Sequence, residues 1–440
     1  MLLGKRLQRQ RRRRRLRGVC ASVCLLLTAA CSVQASGAEQ APRSASPQAA
    51  DNPKLSGDPV VIGSMFPVSA PLSTFPQLPY IAQVAVKAVN AAGGINGRPL
   101  KWVHCDDKGD PNVAAKCADE LLNQTKVRAL VESVGVQGNI AWPFIKKADV
   151  INWFNVPIWP DDTTSPLSYP AGLGIFAHQN IGLLVKQHEF KKVACLTAEG
   201  AVSTKLCNFA KESLAAKGIT DFKKVSWPSD TTTFLPYAAK VLADDYDAVV
   251  MGVGDAITAP VLQALADMGV DVPVLAASTS IGSQSIKAAR ETGMTLRVAT
   301  SWATDPTENA ARAQMLEAIQ KYGPSVGAPP HLDTVSDNAF NMYEGILSLA
   351  DVMNGAKSLK TADLQTYIAE HPVLTGATPP LDWTKPGPVP GSPRVVQVYA
   401  ESSRLSKDGV LTAPSDLWGS VFPGVDDIKC CAASTTAKGR

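Results

Sequence analysis

Residues 59–111 read PVVIGSMFPVSAPLSTFPQLPYIAQVAVKAVNAAGGINGRPLKWVHCDDKGDP, and the rest of the chain is organised around them. Residues 59–65 are a β-branched run of strand length, followed by a loop carrying Pro67, Ser69 and Pro71. Ile81, Val84, Ala85, Ala88 and Val89 then recur at the i, i+3, i+4 spacings that line one face of a helix. Gly93 and Gly94 stop that helix, because glycine takes the left-handed backbone of a C-terminal cap without a steric penalty. Asn96-Gly97 marks a turn, and residues 100–104 are a second strand running into Cys105-Asp106-Asp107. A strand–helix–strand unit predicts a parallel sheet, with ligand sites beyond the carboxyl ends of its strands.

The alternation continues downstream. Helical patterns at 113–125 and around 140–148 enclose a strand at 128–133, and a further strand at 150–154 leads into a Pro- and Asp-rich loop at 157–166. A second series follows, with helices at 182–189, 205–217, 231–243 (behind an Asp230-Thr231 cap) and 257–268. Its strands are read at 192–197, 222–226, 248–252 and 274–277. Helical patterns at 308–321, 336–354 and 361–370 and a strand-like piece at 394–400 complete the reading. At 440 residues the chain exceeds one ordinary core, so two lobes are expected.

The first thirty residues are of another kind. Nine Lys and Arg precede or open a short apolar run at 18–30, too short to span a bilayer and shaped like a secretory signal. A basic nucleic-acid-binding arm is the alternative, but such an arm would not lead into VCASVCLLLTAAC. Residues 1–30 hold nine of the 43 Lys and Arg and none of the 39 Asp and Glu. The remainder therefore carries 34 basic against 39 acidic groups, a net charge of −5, and nothing in it points to a nucleic-acid partner. Residues 31–58, rich in Ala, Ser, Pro and Gln, read as a flexible tether.

The quoted stretch also carries a resemblance. A strand ending in G-x-x-x-P-x-S, a helix closing with VNAAGGINGRPL and a strand ending in DD-x-GDP resemble the substrate-binding proteins of branched-chain amino acid ABC transporters. That family has the type I periplasmic-binding-protein fold, and the likeness runs from about residue 59 to about residue 425. It implies an α/β fold of two doubly wound Rossmann-like lobes joined by a three-crossing hinge. The N-terminal lobe would comprise 59–176 plus 305–372, the C-terminal lobe 177–304 plus 373–425, with a tail at 426–440. The segment LTAAC resembles a bacterial lipobox, with Thr28 where the family has an aliphatic residue, so Cys31 is the candidate for lipidation. Arg14-Arg15 is also a weak match to a twin-arginine signal.

In an exported protein the remaining cysteines can form disulfides. Cys105 with Cys117 and Cys195 with Cys207 are each twelve apart, running from a strand into the next helix, and are paired locally here. Metal binding is the alternative, against which stand the absence of C-x-x-C and the five histidines of the whole chain. Cys430-Cys431 receives no role.

No nucleophile elbow, P-loop or G-x-G-x-x-G occurs, and His104, His178, His188, His331 and His371 stand in no triad or metal spacing. Asp106-Asp107 reads as a strand end and helix start, with a metal pair as the alternative. The expectation is capture without catalysis and without a cofactor. A monomeric, lipid-anchored protein of the bacterial cell envelope would take a small polar solute between its lobes and pass it to an ABC permease. A sensor of the same fold is the alternative, and a secreted hydrolase a weaker one.

In the resembled family, first-lobe hydroxyls and backbone N–H groups hold a carboxylate, and a second-lobe acid holds an ammonium. Ser69 keeps that pattern, with Phe66 beside it. The third-strand exit, Gly135-Val136-Gln137, has no hydroxyl, and Ala277-Ser278-Thr279 has no acid, which argues against leucine, isoleucine or valine as ligand. Glu199 and Asp255, at second-lobe strand exits, are the acids that could stand in. Phe66, Trp153, Phe154 and Trp159 gather at first-lobe exits, either lining an apolar pocket or packing under the loops.

Overall fold

The computed structural model describes residues 54–70, 74–133, 137–186, 189–406, 410–413, 417–420, 422 and 424–431. The signal, Cys31 and most of the tether lie outside these residues, as do Gly135 and Val136.

The first lobe begins with strand β1 (Val60–Met65), helix α1 (Leu78–Ala91), β2 (Leu100–Cys105), α2 (Pro111–Asp119), β3 (Ala129–Val131) and α3 (Gly138–Ala148). It continues through β4 (Ile151–Trp153), a short helix α4 (Pro160–Thr164) and β5 (Ser168–Tyr169). The strands pair in parallel in the order β2-β1-β3-β4-β5. The central strands β1, β3 and β4 are buried between helices and read as largely apolar runs, while the edge strand β2 keeps an exposed Lys101.

The second lobe holds β6 (Lys192–Ala198), α5 (Ala201–Ala215), β7 (Asp221–Trp227), α6 (Leu235–Ala243), β8 (Ala248–Met251) and α7 (Asp255–Asp267). After these come β9 (Val274–Ala277), α8 (Ser283–Thr292) and β10 (Leu296–Thr300). Its parallel strands lie β7-β6-β8-β9-β10, the same winding as the first sheet, extended by antiparallel β11 (Glu401–Leu405) and β12 (Leu411–Thr412). Side chains alternate across it: Val193 and Cys195 face one core, Ala194 and Leu196 the other.

Between β10 and β11 the chain returns to the first lobe. Helices α9 (Ala310–Tyr322), α10 (Asp337–Gly355) and α11 (Thr361–Glu370) supply Met315, Phe340, Tyr343 and Leu364 to the core beneath β1, β3 and β4. A small two-stranded sheet of β13 (Leu417–Trp418) and β14 (Ile428–Lys429) ends the described chain, and Trp418 is fully buried in that same first-lobe core.

Cys105–Cys117 and Cys195–Cys207 are both disulfides, as expected, and Cys430 and Cys431 are bonded to each other. Four local readings are corrected. Residues 394–400 alternate like a strand but form none. Val395 and Val398 enter the second lobe's core, Val396 packs on the first and Tyr399 touches both, so the apolar run comes from straddling two cores rather than from a sheet. In place of a helix at 182–189 there is a 3-10 segment, Gly174–Leu184, buried almost all round, which gives it no helical stripe. The helix expected from Thr231 starts at Leu235 instead, because Pro236 fits the first turn and Asp230 makes no cap. Helix α8 and strand β10 were not anticipated, since SQSIKAARET offers only three buried positions.

Candidate functional site

Each sheet presents its strand exits on one side, and the first lobe's exits are tied together by carboxylates. At the β2 exit Asp106 accepts from Val68 N–H (2.9 Å), Ser69 Oγ (2.6 Å) and Lys108 N–H (3.0 Å). Burial would raise the Asp106 carboxyl, but these donors outweigh it and hold it below the usual carboxylate range. Asp107 accepts from Gly109 N–H (2.8 Å), and Asp110 caps α2 through Asn112 and Val113 N–H. Gln137, at the start of α3, donates to Gly109 O (3.0 Å). Ser69 and Gln137 are thus brought onto one loop; the Asp106-Asp107 pair organises the strand end, while the helix-start cap expected of it is made by Asp110 instead.

The aromatic residues at these exits lie deep. Phe66 is fully buried and stacked on His104 (ring centroids 4.0 Å apart), whose Nε2 lies 3.0 Å from Phe66 O. Trp153 is fully buried under α10, its Nε1 donating to Ser348 Oγ (3.2 Å), and Phe154 stacks beside it. Of the two readings left open for Phe66 and Trp153, packing is the placement observed. Trp159 instead leans over Gly138, where an added methyl group would come within 3.2 Å of its ring.

Behind the β1, β3 and β4 exits lies a cavity of about 20 Å³, walled by Met65, Asp107, Ser133, Trp142, Asn152 and Asp162 among others. Asp162 is satisfied by Trp142 Nε1 (2.8 Å), Asn155 Nδ2 (3.3 Å) and the N–H groups of Ile158 and Trp159. Asp107 Oδ2, Ser133 Oγ and Asn152 Oδ1 are buried with no hydrogen-bond partner. Burial raises the carboxyls of Asp107 and Asp162.

The lobes meet at the start of α10. Ser336 caps that helix, and the next residue, Asp337, accepts from the hydroxyls of Ser278 and Ser301 at the β9 and β10 exits and from Ser301 N–H (3.3 Å). One turn further, Asn341 Nδ2 donates to the Glu132 carboxyl at the β3 exit and to Phe154 O (3.0 Å). Burial raises both acids, Glu132 well above the ordinary range. Ser278 is therefore at the inter-lobe contact. Asp255 is engaged otherwise: its carboxylate accepts from Ser285 N–H (2.8 Å) and Gln284 N–H (3.3 Å) and so caps α8. Glu199 is exposed at the β6 exit, its N–H donating to Trp227 O (2.7 Å).

Asp337, Glu132 and Asn341 escaped the sequence reading. Ser336-Asp337 looks like an ordinary helix start, and only the fold reveals which strands it faces. Among the described residues no three His, Cys, Asp or Glu side chains are placed to hold a metal, and no helix is long and apolar enough to cross a membrane.

The chain is 23% identical over 342 residues to an amino acid binding protein of Pseudomonas aeruginosa, covering 73% of this chain and 85% of that one. In fold it is similar to the branched-chain amino acid transporter substrate-binding protein of Streptococcus pneumoniae in complex with isoleucine (TM-score 0.61, 18% identity). That likeness covers 81% of this chain and 100% of the other. It is equally similar to a solute-binding protein of an ABC transporter from R. palustris in complex with benzoate (TM-score 0.64, 14% identity, 85% and 99% covered). Residues 59–398 match the family model described as periplasmic binding protein. On that match, with two parallel sheets of the same winding, the chain belongs to the type I periplasmic-binding-protein family.

Proposed function

We propose that this protein captures a small polar molecule between its lobes, an amino acid or a related amide or organic acid, and delivers it to the permease of an ABC importer. The observation that carries the reading is the contact at Asp337, where a first-lobe helix meets two second-lobe strand exits. Ligands of open α/β sheets bind outside such exits, and a hinged pair of lobes closes over them. The lobe boundaries at 176/177, 304/305 and 372/373, the lipid anchor at Cys31 and a monomeric state complete the proposal. The return of α9–α11 to the first core supports the boundary at 304/305, whereas Val373, Ala377, Leu381, Trp383 and Trp418 also pack in that core, so the last crossing is spread over the residues that follow 372.

The ligand reading departs from branched-chain amino acids. The acid expected at the β9 exit is missing: Ser278 faces Asp337 rather than presenting a carboxylate and Asp255 serves α8, which leaves the exposed Glu199 and the buried Glu401, level with Thr300 at the β10 exit and with Oε2 unpartnered, as second-lobe acids. A thermal-shift screen of amino acids, amides, short-chain acids and aromatic acids, followed by calorimetry on hits, tests capture. A ligand at a hundred times its Kd stabilises by about 2.7 kcal/mol, a shift of several degrees. Capture fails if no class shifts the melting temperature.

A further inference from the structure

The cavity behind the first-lobe exits has an unusual wall. Asp107 is 1% exposed and Asn152 3% exposed, yet Asp107 Oδ2 and Asn152 Oδ1 accept nothing, and Ser133 Oγ is likewise buried and unpartnered. Buried polar atoms are ordinarily satisfied, and each unmet acceptor costs about 1–3 kcal/mol, so three on one cavity call for an occupant. The wall holds two carboxylates, Asp107 and Asp162, and no Lys, Arg or His. Asp162 already has four donors, which leaves Asp107 as the uncompensated acid. About 20 Å³ admits one atom of water size.

We propose that this cavity is a site for an ammonium group, held by Asp107 Oδ2, Asn152 Oδ1 and Ser133 Oγ. An ammonium centre has the size of water, carries the charge the two carboxylates lack, and donates to the open acceptors Asp107 Oδ2 and Asn152 Oδ1 and to a lone pair of the Ser133 hydroxyl. A water molecule could meet the hydrogen bonds but would leave the charge unmatched. The apolar remainder, Met65, Leu121, Leu130 and Trp142 among it, lowers the local dielectric and strengthens the pairing. The group is either the free ion or the amino end of a captured solute. Only the second source rests on the capture reading; the site does not.

The full-length protein is titrated with ammonium chloride, methylammonium chloride and potassium chloride at constant ionic strength, following melting temperature and heat of binding. The wild type should respond to ammonium and not to potassium. Asp107→Asn should weaken the response at least tenfold, and Ser133→Ala, a milder change that keeps the fold, by a smaller factor. A response to methylammonium and amino-bearing solutes assigns the site to a solute's head group; a response to ammonium alone assigns it to the free ion. Equal responses to potassium, no response at all, or an undiminished response in folded Asp107→Asn and Ser133→Ala overturns the proposal. If ammonium binds while the broad solute screen stays silent, capture fails and this site stands.

Discussion

The two lobes share a winding and differ in what they leave unsettled. At the first lobe's exits, Lys108, Glu132 and Phe154 all take left-handed backbone (φ 55°, 43° and 50°), a conformation non-glycine residues adopt at an energetic cost. No described exit of the second sheet does so with a side chain; Gly200 takes positive φ after β6 instead. Unpartnered polar atoms gather at several first-lobe exits, on Asp107, Glu132, Ser133 and Asn152, whereas at the second sheet's exits Glu401 Oε2, beside Thr300, is the comparable case. Strain persists only where the surroundings over-determine it, so the first lobe's exits are the more tightly constrained of the two sets.

Substitutions can break or sharpen that contrast. The largest effect belongs to Trp153→Ala, which empties a fully buried site and should lower stability by about 3–5 kcal/mol. A fall in urea midpoint without a change of slope checks it, and a change below about 1 kcal/mol would show the first core to be loosely packed. Next, replacing both Cys195 and Cys207 by Ala should cost about 2–4 kcal/mol. The Cys105/Cys117 pair closes a loop of the same length, but Cys105 is half-buried while Cys195 and Cys207 are fully buried. The second-lobe pair should therefore show the larger drop in melting temperature.

A third test turns on pH. Burial pushes the Glu401 carboxyl in β11 up to about 8 from an ordinary 4.5. An acid raised on folding favours the fold fully below its unfolded value and loses that contribution as pH climbs through its folded one. Stability should thus decline between about pH 4.5 and 8. Glu401→Gln should flatten that decline by up to about 2–3 kcal/mol, the difference vanishing near pH 4. Glu132→Gln should act in the same sense on the first lobe, since burial also raises that group. Denaturant melts across pH give the slopes, and parallel curves for wild type and variant would place these acids in water-accessible surroundings. The smallest effect is Lys146→Ala, which removes an exposed pair with Asp161 at 2.7 Å and should change stability by less than about 1 kcal/mol.

Much of the fold was legible because periodicity and punctuation agree. Ile81, Val84, Ala85 and Val89 mark the buried face of α1 and Gly94 its end, and all four side chains lie in the first core. Both cross-links followed from strand-to-helix spacing within an exported chain. The misses share one cause, which is tertiary context. Residues 394–400 imitate a strand while serving two cores, and Asp255 is an ordinary loop acid until α8 arrives beside it. Asp337 and Glu132 carry no local signature, since what distinguishes them is contact across the fold with Ser278, Ser301 and Asn341.

The burial of Trp418 in the same core as Ile62 and Trp153 sets an order of events in synthesis. A ribosome delivers β1 through β5 early, but the face of that sheet stays uncovered until α9, α10 and α11 emerge, and Trp418 follows later still. Contacts of such long sequence separation form slowly and leave apolar surface open meanwhile. The first lobe therefore keeps an open apolar face until the segment that carries Trp418 has been made and can pack onto it.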